Sequence, residues 1–125
     1  DLIDTGSTFV QCAESLKKAG AETIIGVCTH PVFSGEAVER ISKSEALTRL
    51  YVTDTIPLRV ENPKIEVISV AGLFAEAIIR THENQSISSL NYVIKKMILR
   101  PLIFFSGMLL NKGKKSHLCG IFWTR

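Results

Sequence analysis

The chain opens on Asp1-Leu2-Ile3-Asp4-Thr5-Gly6-Ser7-Thr8, two carboxylates three residues apart followed at once by a turn of small, hydroxyl-bearing residues. A loop of this kind can hold a sugar phosphate. Its backbone N–H groups and the hydroxyls of Thr5, Ser7 and Thr8 can serve phosphate oxygens, and a helix beginning at Phe9 would add its dipole and its unpaired donors. Gly6 lets the backbone come close and take dihedrals that a side chain would forbid. The carboxylates of Asp1 and Asp4 repel a phosphate. They suit ribose hydroxyls, which donate to ionised oxygens, or a magnesium ion bridging the sugar. A plainer reading of the same residues is an ordinary turn with Asp4 or Thr8 as helix N-cap. Eight residues alone do not decide between the two.

The elements around the loop favour a ligand-binding position. From Phe9 to Ala19, apolar residues at Phe9, Ala13 and Leu16, with Val10 and Cys12 beside them, fall at helical spacing, with Glu14, Lys17 and Lys18 on the outer face. Gly20 follows as a left-handed stop. Thr23–Cys28 is a continuous β-rich apolar run, the pattern of a strand buried on both faces. Residues 29–35 read as a loop and 36–42 as a short helix. Strands are expected at 50–53 and 65–69, with an exit turn at 54–57. Ser69 should then cap a helix running to His82, with Leu73, Phe74, Ala77, Ile78 and Thr81 on its apolar face. This order describes an α/β sandwich with a mostly parallel sheet. Ligands in such sheets sit beyond the C-terminal ends of strands, where the opening loop falls.

At 125 residues the chain has the length of one domain and a composition without low-complexity tracts. Its net charge of +3 is unevenly placed: residues 1–91 carry 12 acids and 8 bases, a net of −4, and residues 92–125 carry 7 bases and no acid. Such a break marks a boundary near Leu90. Cys12, Cys28 and Cys119 show neither paired nor Cys-x-x-Cys spacing, which fits reduced intracellular thiols rather than disulfides or a zinc site. There is no signal peptide, and the chain starts inside a motif; both fit a piece of a longer protein whose preceding strand lies upstream.

Several blocks narrow the reading further. Besides the opening loop they are Thr29-His30-Pro31-Val32-Phe33-Ser34-Gly35 with Ala37-Val38-Glu39-Arg40-Ile41, Val52-Thr53-Asp54-Thr55-Ile56-Pro57, Leu73-Phe74-Ala75-Glu76-Ala77-Ile78 with Arg80-Thr81-His82, and Ser86-Ile87-Ser88-Ser89-Leu90. In this order and spacing, residues 1 to about 90 resemble the C-terminal part of the second domain of ribose-phosphate pyrophosphokinases, the phosphoribosyl pyrophosphate synthetases. The resemblance implies a partial phosphoribosyltransferase-type three-layer sandwich. It also implies magnesium-dependent transfer of the β,γ-pyrophosphoryl group of ATP to the C1 hydroxyl of ribose 5-phosphate, in a cytoplasmic homo-oligomer. By that pattern Asp1 and Asp4 contact the ribose hydroxyls, and Thr5, Gly6, Ser7 and Thr8 hold the 5-phosphate. Ser86 and Ser88 occupy the positions of an effector phosphate site between subunits. The family's ATP-binding and metal-binding residues and its catalytic Lys/Arg pair belong to the other half. No catalytic residue is therefore assigned here, and these 125 residues alone are expected to be inactive. Ser7 stands where the family commonly has Gly or Ala, and Pro31 where it usually has Gly. His30 is expected to be a loop residue with a satisfied ring, and His82 receives no catalytic role. Two alternatives are a non-catalytic regulatory subunit of that enzyme and a salvage phosphoribosyltransferase, which shares only the opening loop.

Residues 91–125 resemble no part of that family. Asn91 replaces an expected Phe, and the apolar run Met97–Leu110 is broken by Arg100 and Pro101, too short for a membrane span. A membrane-surface anchor, a docking segment and translated non-coding sequence all fit such a tail. The last is favoured, because resemblance and charge change at the same residue, and a poorly ordered tail is expected. Lys112-Gly113-Lys114-Lys115 is too short a cluster to suggest nucleic acid.

Overall fold

The computed structural model describes residues 1–88, 90, 116–118 and 121–124. Two compact units divide them, residues 1–68 with 112–125 and residues 69–111. Most of the expected elements form in the first. A two-residue strand β1 (Leu2–Ile3) leads through the loop into α1 (Ser7–Lys18), and β2 (Thr23–Cys28) follows. A second short strand β3 (His30–Pro31) lies within the expected loop, before α2 (Ala37–Lys43), β4 (Arg49–Thr53) and β5 (Ile65–Ile68). Helix α1 begins two residues earlier than its apolar periodicity suggests, because Ser7 and Thr8 already turn behind Gly6. It ends as expected on a left-handed Gly20, at φ +95°.

Strands β2, β4 and β5 are parallel, in the order β5-β4-β2, with Gly26 opposite Leu50 and Val52 opposite Val67. The crossover from β2 to β4 carries α2, whereas β4 and β5 are joined by residues 54–64 without a helix. The other edge of β2 differs from the sequence expectation. The sequence suggested no element after residue 91, yet β6 (Ser116–Leu118) and β7 (Ile121–Thr124) form an antiparallel pair, and β7 lies antiparallel to β2 with Gly26 opposite Ile121. The sheet is thus mixed, with a parallel half and an antiparallel edge. The reason is chemical: Phe122 and Trp123 join Ile121 and Thr124 in a run of good strand formers, and β2 has a free row of backbone donors and acceptors to pair with them. Met97–Leu110 and Lys112–Lys115 lie outside the described residues.

The core of this unit is built from Ile24 and Cys28 of β2, Leu50 and Val52 of β4, Ile41 of α2, Leu47 and Ile121, with Val10 and Ala13 from α1. Phe9, Cys12 and Leu16 pack on it half-buried, so the buried face of α1 is the one its spacing marks. Lys64 closes the C-terminal end of α2 by donating to the carbonyls of Ser42 and Ser44 at 2.9 and 2.7 Å. A cation there meets both unpaired acceptors and the negative end of the helix dipole.

In the second unit, α3 runs Ala71–His82. Its N-cap position is Val70 rather than Ser69, although Ser69 Oγ still accepts a bond from the Ala71 amide at 3.3 Å. The expected apolar face exists as a pattern but is not buried: Phe74, Ile78 and Ile79 are more than half exposed. No described helix is long and apolar enough to cross a membrane.

Candidate functional site

The opening loop is held from beneath by backbone pairing. Strand β1 runs parallel to β3, with Leu2 opposite His30 and Ile3 opposite Pro31. The carbonyl of Asp1 accepts from the amides of Thr29 and His30, both at 2.9 Å, and from the Cys28 thiol at 3.4 Å. Burial pushes the Cys28 thiol up, and the nearby N-terminal charge opposes this only in part. It therefore stays protonated as a donor to that carbonyl. Further along, Phe33 N–H donates to Ile3 O and Ser34 N–H to Asp4 O, each at 3.1 Å. Phe33 takes φ +48° to make the turn, an uncommon conformation for a bulky side chain.

The loop 29–31 is in turn fastened to the end of β4. The hydroxyls of Thr53 and Thr55 donate to Thr29 O at 2.6 and 2.9 Å, and the His30 ring lies 3.0 Å from Thr55 Oγ1. His30 lies in the short strand β3 rather than in a loop, but its ring is partnered, as expected.

Above this support the six proposed contact residues come together. Asp1, Asp4, Thr5 and Thr8 are exposed, Ser7 is half-buried and Gly6 is buried. All six line one cleft of about 270 Å³, with Leu2, Ile3, Phe9, Cys12, Val27 and Cys28 completing its wall. Gly6 takes φ +73°, the left-handed conformation expected of it, and supplies the N-cap position of α1 with no side-chain cap. Neither Asp4 nor Thr8 caps the helix, which corrects the capping part of the plainer reading. The first helical bond runs from Val10 N–H to Gly6 O at 3.0 Å. The amides of Ser7, Thr8 and Phe9 precede it and so lack a helical acceptor. Three amides without a helical acceptor, three hydroxyls and a positive helix end therefore belong to residues that line one small cleft, with two carboxylates on the preceding residues. That arrangement can bind an anion at one end and a polyol at the other.

One neighbour of the loop is not suggested by local sequence. Arg40, on α2, donates from Nη1 to Thr5 O at 2.5 Å and to Ser7 Oγ at 2.9 Å. It lies 33 residues from Ser7, and only the packing of α2 under the loop joins them. Among the described residues no group of three or more His, Cys, Asp or Glu gathers as a metal site.

Ser86 and Ser88 lie in the second unit, both exposed. Ser86 Oγ accepts from the Ser88 amide at 3.3 Å, and its carbonyl accepts from Arg80 at the same distance. The segment is a short polar turn after α3.

A family profile described as "Phosphoribosyl synthetase-associated domain" matches residues 1–92. Among curated relatives, the ribose-phosphate pyrophosphokinase of Helicobacter hepaticus is 54% identical over 90 residues, and that of Campylobacter jejuni 51% over 90 residues. Each alignment covers 72% of this chain and 29% of the relative. The chain thus spans under a third of the length of these relatives. A crystal structure of phosphoribosylpyrophosphate synthetase from Mycobacterium smegmatis superposes with a TM-score of 0.65 at 34% identity, covering 67% of this chain and 28% of that one.

Proposed function

The chain belongs to the ribose-phosphate pyrophosphokinase family, matching its phosphoribosyl synthetase-associated domain over residues 1–92, and from that premise we propose that it carries the ribose 5-phosphate half of the family's reaction. The observation that supports this most directly is the convergence of Asp1, Asp4, Thr5, Gly6, Ser7 and Thr8 on one cleft at the uncapped start of α1. In this reading the amides and hydroxyls of residues 5–8 take the 5-phosphate, and the Asp1 and Asp4 carboxylates accept from the ribose hydroxyls.

The chemistry so served is positioning. The C1 hydroxyl oxygen attacks the β-phosphorus of ATP, a new O–P bond forms, the bond from that phosphorus to the oxygen bridging to the α-phosphate breaks, AMP leaves, and the hydroxyl proton is released to water. Clamping the acceptor at both ends removes much of the orientational freedom that attack would otherwise lose. The groups that bind ATP are assigned to the family's other half, and a homo-oligomer to the full-length protein. Magnesium usually keeps several waters and takes one or two carboxylates besides substrate oxygens. Asp1 and Asp4, both exposed and both lining the cleft, fit that role. When bound, the ion would neutralise charge on the transferring phosphates.

Calorimetric titration of the 125-residue chain with ribose 5-phosphate tests the reading. Binding is expected, and Asp4→Ala or Thr8→Ala should each weaken it about tenfold or more, the loss of a hydrogen bond to a charged partner. The chain incubated with ATP, magnesium and ribose 5-phosphate should release no AMP. Absent binding, or variants that bind as tightly as the parent, would overturn the assignment of the loop.

A further inference from the structure

We propose that Arg40 is a positioning residue that makes Ser7 an obligate hydrogen-bond donor to the bound phosphate, an inference that rests on reading the opening loop as the phosphate cradle. A guanidinium can only donate. Its Nη1 lies 2.9 Å from Ser7 Oγ, so that oxygen accepts, and the single hydroxyl proton must turn elsewhere. Two directions remain, toward the cleft or toward Thr5 Oγ1, which is 3.3 Å away. A phosphate oxygen in the cleft is the stronger acceptor, being ionised. Ser7 thus spends its oxygen on Arg40 and keeps its one proton for Thr5 or, once bound, for the phosphate.

The same nitrogen also donates to the carbonyl of Thr5. Its two contacts therefore fall on either side of Gly6, the residue of the loop with the greatest conformational freedom. Gly6 itself rests over α2, with Ala37 and Ile41 3.7 Å from where a Cβ would stand. Arg40 fixes the turn across its most pliable point and adds positive charge behind it. The guanidinium is not among the residues lining the cleft, so it acts through Ser7 and Thr5 rather than on the ligand. Its competing partner Glu36 is 3.9 Å away and 79% exposed, too weak a pair to draw the side chain off. A lysine would keep the charge, but its ammonium sits on a flexible stem and is not held in a fixed plane as the guanidinium nitrogen is. Ser7 matters to the device: a Gly or Ala in its place would leave Arg40 holding only the Thr5 carbonyl.

The test is a double-mutant cycle on the 125-residue chain, titrated calorimetrically with ribose 5-phosphate and separately with inorganic phosphate. Arg40→Gln and Ser7→Ala should each weaken both ligands about tenfold, as expected for a lost bond to a charged acceptor. Together they should weaken them no more than the worse single change, because both break the same relay. Arg40→Lys should fall between Gln and the parent. It also carries the cycle should Arg40→Gln fail to fold, as judged by circular dichroism. Additive losses would overturn the proposal, since they mean Arg40 acts independently of Ser7. So would an Arg40 variant that binds phosphate like the parent. A parent chain that binds neither ligand would instead bring down the cradle reading itself, and the role of Arg40 with it.

Discussion

Gly6 shows how a single residue can be tested by strain alone. Its φ of +73° is costly for any side chain, yet the nearest atoms to an added Cβ are 3.7 Å off, an ordinary contact. Space is available and only the backbone objects. Gly6→Ala should therefore lower stability by about 1–2 kcal/mol, the cost of a left-handed residue carrying a Cβ. Gly6→Asn should cost less, because Asn tolerates that region. Urea midpoints of the two variants check this, and equal losses would mean that crowding decides. The need for Gly6 could be seen in the sequence, since a glycine between hydroxyl residues ahead of a helix has few other reasons to be there. Arg40 could not. Nothing in a helix pattern says which of its exposed cations will meet a loop some thirty residues earlier.

Between elements, the join of α1 to β2 depends on a glycine within a strand. A Cβ on Gly26 would lie 2.2 Å from Phe9 Cζ and 2.9 Å from Leu50 Cδ1. Phe9 can lie against β2 only because that position is bare, and Phe9 stands in the first turn of the helix that the loop leads into. Gly26→Ala should cost about 1–3 kcal/mol by overpacking. Phe9→Leu in the same chain should recover part of it, and thermal unfolding of the four members of that cycle measures the coupling. If the two changes simply add, the ring does not set the contact. The helices and parallel strands of residues 1–82 were legible because apolar periodicity and continuous β-branched runs are strong signals. The two-residue strands β1 and β3 were not, being too short for any period, although they carry the loop. The apolar face of α3 shows the limit from the other side. Its spacing marks a face, and spacing cannot say whether anything covers it: Ile78 is 68% exposed.

At the scale of the molecule, the sheet has a second contributor beyond the family-matched region. Ile121 is fully buried beside Ile24 and Leu50 in the same core, so β6 and β7 belong to the first compact unit. Ile121→Ala should cost about 2–5 kcal/mol, the usual range for emptying a buried aliphatic site. An unchanged urea midpoint would show that β7 adds nothing. Local composition hid this contribution, because acid-free sequence after a family boundary looks unselected whether or not it pairs with a sheet. The fastening of β3 beneath the loop has a different reach. Amides of Thr29, His30, Phe33 and Ser34 all end on carbonyls of Asp1, Ile3 and Asp4, so they open to solvent only when that backbone moves. Adding ribose 5-phosphate should slow their exchange with deuterated water, which is governed by local opening. Four groups that never meet the sugar would thus report its arrival.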